Sequence, residues 1–234
     1  MYDTPLALIW GSSSLLDALF SQQVWIATWE TVYMVFLSTL LSYLVGVPLA
    51  IALVTTDKGH ILENAAVNKI LGAIVNVTRA VPFIIFLILI IPLTVLIMGT
   101  FIGTAASMVP LTLAAIPFVA RLVETSLKEI DPGLIEAALS MGAKPTQIIT
   151  KVLLPEAVPS IILGIAITII NLIGYSTMAG IVGGGGLGTL AYYYGYQRFL
   201  KDYVWAAVII LVIMVQGIQM LGEKLAQRVI NKRR

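Results

Sequence analysis

Two features of the sequence have residue types that could bind a cofactor or a metal. Residues 183–188 read Gly-Gly-Gly-Gly-Leu-Gly and formally contain the Gly-x-Gly-x-x-Gly pattern of dinucleotide-binding loops. That fingerprint needs a preceding strand in a soluble unit, whereas this segment follows a long apolar run, so we interpret it as a flexible outer turn. His60 is the only histidine and cysteine is absent, which favours a solvated loop side chain over a metal ligand. We therefore expect neither a cofactor nor a metal in this chain.

Catalytic motifs are absent from the sequence as well. It contains no Gly-x4-Gly-Lys-Ser/Thr phosphate loop, so this chain does not bind ATP by that device. It contains no His-Glu-x-x-His motif and no Ser/His or paired-Asp arrangement within its apolar runs, so an intramembrane hydrolase has no candidate residues. We expect a non-catalytic chain.

One polar segment, residues 131–155, stands between long apolar runs and contains helix start and stop signals. Asp131 is a suitable N-cap and is followed by proline, which predicts a short helix from Pro132 to about Met141. Gly142 can adopt the left-handed conformation that closes a helix, and Pro145 can begin the next one. The predicted structure is a helix, a sharp turn and a second helix.

The first helix of this segment has an apolar face. Leu134, Ala138 and Met141 recur at helical spacing, whereas Glu136 and Ser140 face elsewhere. An amphipathic helix lying on the bilayer surface has this pattern. A knob that docks on another protein has it as well, and the pattern alone leaves both interpretations open.

The composition predicts an all-α integral membrane protein. Of 234 residues, 59% are hydrophobic and 11% are charged, which is too apolar for a soluble domain of this length. Five uncharged runs are long enough to cross about 30 Å of hydrocarbon as helices, and the second and third should form a tight hairpin. The prolines at 92, 110 and 117 should interrupt these two helices, either beside a water-lined passage or as simple kinks against other helices. The five predicted spans are residues 31–54, 80–98, 101–120, 158–182 and 203–221.

Basic residues are unevenly distributed between the two sides of this arrangement. With the C-terminus in the cytoplasm, all of the 14 Lys and Arg residues except Arg198 and Lys201 fall inside, which predicts a cytoplasmic C-terminus and an outside N-terminus. The net charge of +2 does not indicate a nucleic-acid partner, whereas the basic C-terminal end suits anionic lipid. The predicted organisation is an extracytoplasmic arm (1–24), a transmembrane domain (25–222) that contains the loop 131–155, and a basic cytoplasmic tail (223–234).

The fourth run carries the densest set of polar residues within the predicted spans. Asn171 and Tyr175 lie four residues apart on one helix face, and Ser176 follows them. These residues either line a translocation path or pack helices together in lipid. With Glu30 placed at the interface, no ionisable side chain falls within a predicted span, which disfavours a proton-driven carrier. A carrier that coordinates sodium through backbone carbonyls stays open.

The polar segment resembles the E-A-A loop of permease subunits of ABC importers. That loop has Glu-Ala-Ala, three residues, Gly, nine residues, Ile, one residue and Leu-Pro. The matching residues are Glu136, Ala137, Ala138, Gly142, Leu154 and Pro155, and Val152 replaces the Ile. The resemblance implies that this segment is a coupling helix, which docks in a groove of an ATP-hydrolysing subunit.

Further stretches between residues 69 and 199 are similar to permease subunits of bacterial methionine ABC importers. They include Arg-Ala-Val-Pro-Phe-Ile-Ile at 79–85 and Gly-Tyr-Ser-Thr-Met-Ala-Gly at 174–180. The family implies a type I ABC importer permease fold, with five transmembrane helices and a cytoplasmic coupling helix, in the bacterial inner membrane. It also implies a second copy of this chain, two ABC ATPase subunits that bind ATP and Mg, and an extracytoplasmic, often lipid-anchored, binding protein.

Alternating access driven by the partner ATPase is the mechanism that this resemblance implies, with D- or L-methionine as the substrate. Two alternatives stay open. The substrate could be another small amino acid or a short peptide, and, less favoured, the chain could be a self-contained secondary carrier.

Overall fold

Every regular element in residues 14–233, which the computed structural model describes, is a helix. The predicted all-α architecture is therefore confirmed. Two segments, Ile149–Leu153 and Ala191–Gln197, are π-helical. The α-helices are α1 (Leu15–Leu19), α2 (Gln22–Thr55), α3 (Ala65–Ala80), α4 (Phe83–Leu89), α5 (Ile91–Met98), α6 (Thr104–Lys128), α7 (Pro132–Ser140), α8 (Pro145–Ile148), α9 (Leu154–Ile181), α10 (Gly186–Leu190) and α11 (Lys201–Arg233).

Four helices in this part of the chain are long and apolar enough to span a membrane. The number is five if one bent pair of helices is counted as a single span. The four are α2, α6, the continuous stretch Pro145–Ile181, and α11 over Lys201–Lys232. The bent pair is α3 with α4, which meet at 105°. These helices correspond to the predicted spans except the second.

The prediction of one helix over residues 80–98 is wrong. This stretch contains the end of α3, all of α4 and all of α5, with breaks at residues 81–82 and at Ile90. Pro82 lies in the first break and Pro92 lies in the first turn of α5, where a missing N–H costs no helical hydrogen bond. By contrast, Pro110 and Pro117 lie within α6, which is assigned as one uninterrupted helix. The two prolines therefore do not divide the third span into separate helices.

The ends of the outer helices differ from the predicted boundaries. α2 begins at Gln22 rather than Thr31, so the predicted arm boundary at residues 24 and 25 falls inside this helix. α11 continues to Arg233, so most of the predicted tail is helical. Residues 1–13 of the predicted arm, and Arg234, lie outside the described residues.

The chain divides into two compact units, which are described in turn. The first contains the described chain up to Ser38 together with Phe83–Thr112 and Ile169–Ile218. One of its apolar clusters joins α1, α2, α10 and α11 through small and branched side chains. The buried members of this cluster are Ala18, Val24, Ala27, Leu187, Leu190, Ala206 and Ala207.

The glycine-rich segment of the first unit is a packed turn, so its interpretation as a flexible turn is wrong. Gly185 and Gly186 have φ values of 79° and 74°, a region that favours glycine. The N–H of Gly186 donates to Glu30 Oε2 at 2.7 Å, and the N–H of Leu187 donates to Thr31 Oγ1 at 2.9 Å. Glu30 thus lies within α2 and caps the start of α10.

Close backbone approach explains two further glycines of the first unit. A Cβ atom on Gly180 of α9 would lie 2.4 Å from the backbone nitrogen of Thr189. A Cβ atom on Gly188 of α10 would lie 2.5 Å from Thr177 Cα. Real Cβ atoms do not approach backbone this closely, so α9 and α10 pack at a distance that only glycine permits at these positions.

The second unit contains Thr39–Pro82, Leu113–Thr168 and the described chain from Gln219. Its main apolar cluster combines the ends of α2 and α6 with the segment 138–157. The buried residues of this cluster are Ala50, Val54, Val119, Val123, Leu127, Ile130, Ala138, Ile148, Leu153 and Ala157. The polar segment identified in the sequence is thus anchored on a core of its own unit.

Substitution at Gly180 should show how much stability this close packing provides. We expect Gly180→Ala to destabilise the protein by about 1–3 kcal/mol, the usual range for overpacking against fixed backbone. Gly174→Ala is the matched control on the same helix, because the methyl group that alanine adds there meets no neighbouring atom within 4 Å. Alanine is also the better helix former, so the control should melt unchanged or slightly higher. Equal melting temperatures for the two purified variants in detergent would contradict the packing argument.

Candidate functional site

The helix–turn–helix predicted for the polar segment is present. Asp131 Oδ1 accepts a hydrogen bond from the N–H of Gly133 at 2.8 Å and caps α7, which has Pro132 at its first position. Gly142 has a φ of 76°, and the N–H of Ala143 donates to the carbonyl of Ala138 at 3.0 Å. These are the left-handed residue and the hydrogen bond of a closed helix C-terminus.

A second helical stretch starts immediately after this turn. The N–H of Lys144 donates to Gln147 Oε1 at 2.8 Å, which satisfies one backbone donor at the start of α8. The stretch continues through the π-helical segment into α9, where Leu154 is half-buried and Pro155 is exposed. The turn at residues 141–144 therefore lies between two helices with separately satisfied ends.

The buried side of this segment is narrower than the apolar pattern predicted. Ala138 is only 4% exposed and belongs to the core of the second unit, with Ile135 packed beside it. Leu134 and Met141 were predicted to share that face, but they are 45% and 81% exposed. The described part of the chain, residues 14–233, leaves both side chains largely uncovered.

The outward side of the segment combines polar and apolar residues. Glu136, Ala137 and Gly142 are exposed, and so are the apolar side chains of Leu134, Leu139 and Met141. We call this set of six residues the coupling surface. A clustered apolar surface with a polar rim is typical of a contact site for protein or lipid.

A chain of ion pairs connects the helices and the turn that lie next to the coupling surface in the second unit. Lys128 Nζ lies 2.7 Å from Asp57 Oδ2 and 3.1 Å from Glu124 Oε1. The other oxygen of Glu124 lies 2.6 Å from Arg121, and Arg121 donates to Asn76 Oδ1 at 2.7 Å. This network connects the turn after α2, helix α3 and the end of α6. Its Lys128 bond also holds the pKa of the Asp57 carboxyl below its ordinary value, so this pair is ionised at neutral pH.

Only part of this network could be predicted from the spacing of residues in the sequence. Glu124 lies three residues after Arg121 and four before Lys128, so both helical pairs can be found from spacing. The contacts with Asp57 and Asn76 join residues far apart in the chain. No local signal in the sequence indicates those two partners.

The three candidate path residues have different environments. Asn171 is half-buried, whereas Tyr175 stacks on Phe83 with ring centroids 4.4 Å apart. Ser176 is 1% exposed and its hydroxyl donates to the carbonyl of Ile173 at 2.7 Å, an arrangement typical of helix packing. Their assignment to a path stays a prediction, and of the three polar groups the Ser176 hydroxyl is the one bonded within its own helix.

Metal chemistry has no candidate in the described part of the chain, where no group of three His, Cys, Asp or Glu residues could hold an ion. His60 is half-buried rather than fully solvated, and its Nδ1 accepts a hydrogen bond from the N–H of Ile61 at 3.0 Å. Burial lowers the pKa of His60, so its imidazole is neutral at pH 7 with the proton on Nε2.

Comparisons with known proteins give consistent results for sequence and structure. The chain is 51% identical over 212 residues to the "Probable D-methionine transport system permease protein MetI" of Vibrio cholerae, covering 91% of this chain and 94% of that protein. It is 45% identical over 211 residues to the "Methionine import system permease protein MetP" of Bacillus subtilis, covering 90% of this chain and 95% of that protein.

A solved structure with inward-facing conformations of the MetNI methionine ABC transporter matches this fold with a TM-score of 0.87. The sequence identity is 44%, and the match covers 93% of this chain and 99% of that chain. The fold is therefore that of a type I ABC importer permease, as the resemblance implied.

A family model also matches residues 46–231, a range that includes the coupling surface and the candidate path residues. It describes the inner membrane component of binding-protein-dependent transport systems. The chain belongs to this family of inner membrane transport components.

Proposed function

We propose that this chain is the membrane-spanning permease subunit of an ATP-driven importer of methionine. The chain is non-catalytic, and ATP and Mg bind to a separate ABC ATPase subunit. Two copies of this chain and two copies of the ATPase form the complex, and an extracytoplasmic binding protein delivers D- or L-methionine. The methionine names of relatives at 51% and 45% identity support this substrate.

The observation that carries the proposal is the coupling surface. Its helix is seated by Ala138 in a buried core, whereas Glu136 and Gly142 are exposed at its outward side. Leu134 and Met141 have large exposed fractions, 45% and 81%, and need an apolar partner outside the chain. A groove of the ATPase is the partner that the E-A-A resemblance implies. Leu154 and Pro155 complete the motif at the start of α9.

In this importer the free energy enters through such a contact, because the chain has no phosphate loop of its own. Shifting a two-state gate from about 1:99 to 99:1 requires roughly 5.5 kcal/mol of differential binding. Nucleotide-driven closure of the ATPase dimer can supply this free energy mechanically. The coupling helices then move together, and the permease alternates between inward and outward access.

Selectivity resides mainly in the binding protein. Asn171 contributes an amide to the path and Tyr175 a ring and a hydroxyl, and neither carries a fixed charge at neutral pH. Dipoles of this kind hold a zwitterion weakly, which permits release as well as entry. An importer of another small amino acid or a short peptide would use the same permease chemistry, so the substrate is decided by what the binding protein retains.

Reconstitution separates the importer from a self-contained carrier. We expect liposomes that contain the permease, the ATPase and the binding protein to accumulate labelled methionine only when ATP is present on the ATPase side. Liposomes with the permease alone should show no uptake above protein-free liposomes, with or without a sodium or proton gradient. Gradient-driven uptake by the permease alone would establish the carrier function instead.

Substitution of Gly142 tests whether the turn at residues 141–144 is needed for coupling to the ATPase. Proline fixes φ near −65°, whereas Gly142 has a φ of 76° and its N–H donates to the carbonyl of Leu139 at 2.9 Å. We expect Gly142→Pro to abolish ATPase co-purification or substrate-stimulated hydrolysis. Gly142→Asn is the matched control, because asparagine tolerates the left-handed region and should keep most of both.

Glu136→Ala should weaken the same coupling without disturbing the turn. Uptake per ATP hydrolysed should fall, while the melting temperature stays that of the native chain, because Glu136 is exposed. Native coupling in both Gly142→Pro and Glu136→Ala would show that the segment does not engage the ATPase.

Asn171 tests the path. We expect Asn171→Ala to lower methionine uptake severalfold in the reconstituted complex while ATPase assembly is preserved. Ser176→Ala should have a smaller effect, since the Ser176 hydroxyl is bonded within its own helix. Uptake at the native rate by both variants would remove these residues from the path.

A further inference from the structure

The turn between α2 and α3 is held rigidly by hydrogen bonds of its own. The N–H of Leu62 donates to the carbonyl of Thr55 at 2.9 Å, and the N–H of Asn64 donates to the carbonyl of Thr56 at 3.0 Å. Within the turn, the N–H of Gly59 donates to Glu63 Oε2 at 3.0 Å. A surface loop needs few of these bonds merely to connect two helices. This turn therefore presents its side chains in a fixed arrangement.

Two contacts hold the turn against neighbouring helices of the same unit. Asn68 Nδ2 of α3 donates to the carbonyl of Leu53 at 2.6 Å. Asp57 pairs with Lys128, which is the last residue of α6 and lies just before α7. The end of α6 therefore holds the turn through Lys128 and also leads into the coupling helix, α7.

Together they enclose a cavity of about 490 Å³. Its floor is apolar and includes Val54, Leu127, Ile130 and Ile135. The turn itself, residues 57–61, forms one part of the wall, and Glu136 and Leu139 of the coupling surface form another part. The volume is large enough for a bulky side chain from another molecule.

Three polar groups on the walls have no partner within the described chain. The ammonium of Lys58 and the carboxylate of Glu136 make no ion pair, and both residues are exposed. His60 uses Nδ1 internally, which leaves its Nε2–H as a free donor. The turn therefore offers two donors to an incoming group, one of them a cation.

We infer that the turn 57–61 and the coupling surface form one composite docking site for the ATPase subunit. The cavity receives an apolar side chain of the ATPase, and a neighbouring ATPase carboxylate lies against Lys58 and His60. This inference rests on the proposed function and adds a second contact element to it. The ATPase is the occupant that the geometry favours, because Glu136 and Leu139 belong both to the cavity wall and to the coupling surface.

A lipid chain fits this cavity less well. An acyl tail inside it would lie beside the charged groups of Lys58 and Glu136 as well as the apolar residues. A protein segment that carries apolar and acidic groups together matches both the floor and the donors of the turn.

Cross-linking from single cysteines tests the composite site, because the native chain has no cysteine. Permease variants Lys58→Cys, Leu139→Cys and Ile70→Cys are labelled with a benzophenone maleimide before assembly with ATPase in lipid nanodiscs. Ile70 is a control on α3 that is 61% exposed and does not line the cavity. We expect light to attach the ATPase to positions 58 and 139 but not to position 70.

Each outcome separates the inference from the proposed function. Attachment of the ATPase at position 139 alone would overturn the composite site and leave the coupling helix intact. Attachment at neither position would overturn both. Products at position 58 that contain only lipid or a second permease copy would also overturn the composite site.

Charge reversal provides the second measurement. We expect Lys58→Glu to weaken ATPase binding by about fivefold, the scale of a lost surface ion pair together with new repulsion. Lys69→Glu is the control with the same charge change on α3, outside the cavity lining, and should bind within about twofold of the native chain. Equal affinity for native and Lys58→Glu complexes at low salt would contradict the predicted carboxylate contact.

Discussion

The seating of a short helix on an apolar core is the interaction on which the proposed mechanism depends. Ala138 is buried among Val54, Leu127 and Ile148, so α7 cannot turn about its axis without losing that packing. The same seating keeps Met141 and Glu136 outside the core. A helix that is packed on one side and exposed on the other can transmit a movement of a bound partner to the rest of its unit. A helix lying loosely on lipid would move by itself instead.

Local signals made this segment predictable from sequence. Asp131, Pro132 and Gly142 each act through backbone geometry within a few residues, and the structure contains the cap, the first-turn proline and the left-handed closure. The second predicted span failed because hydrophobicity alone does not distinguish one long helix from a broken one. Prolines did not identify the helix breaks consistently. Pro92 lies beside a break, whereas Pro110 and Pro117 lie inside α6.

Contacts between distant residues explain what sequence reasoning missed. The segment 183–188 looked flexible because four consecutive glycines are typical of a flexible loop. The close approach of Gly180 to Thr189, and of Gly188 to Thr177, shows that glycine is used here for packing. Asp57 and Lys128 are separated in sequence by the four helices α3 to α6, and no periodic pattern connects their positions.

The position of Glu30 changes the argument about energy coupling. This carboxylate lies within α2, so a helix long enough to span the membrane does carry an ionisable group. Its Oε2 accepts the N–H of Gly186 at 2.7 Å, where a negative charge meets the positive end of a short helix. A carboxylate that caps the start of a buried helix has a structural role that accounts for its presence in α2. Glu30 is therefore better explained as a structural cap than as a proton relay, and an external source of free energy at the coupling surface stays the better account of transport.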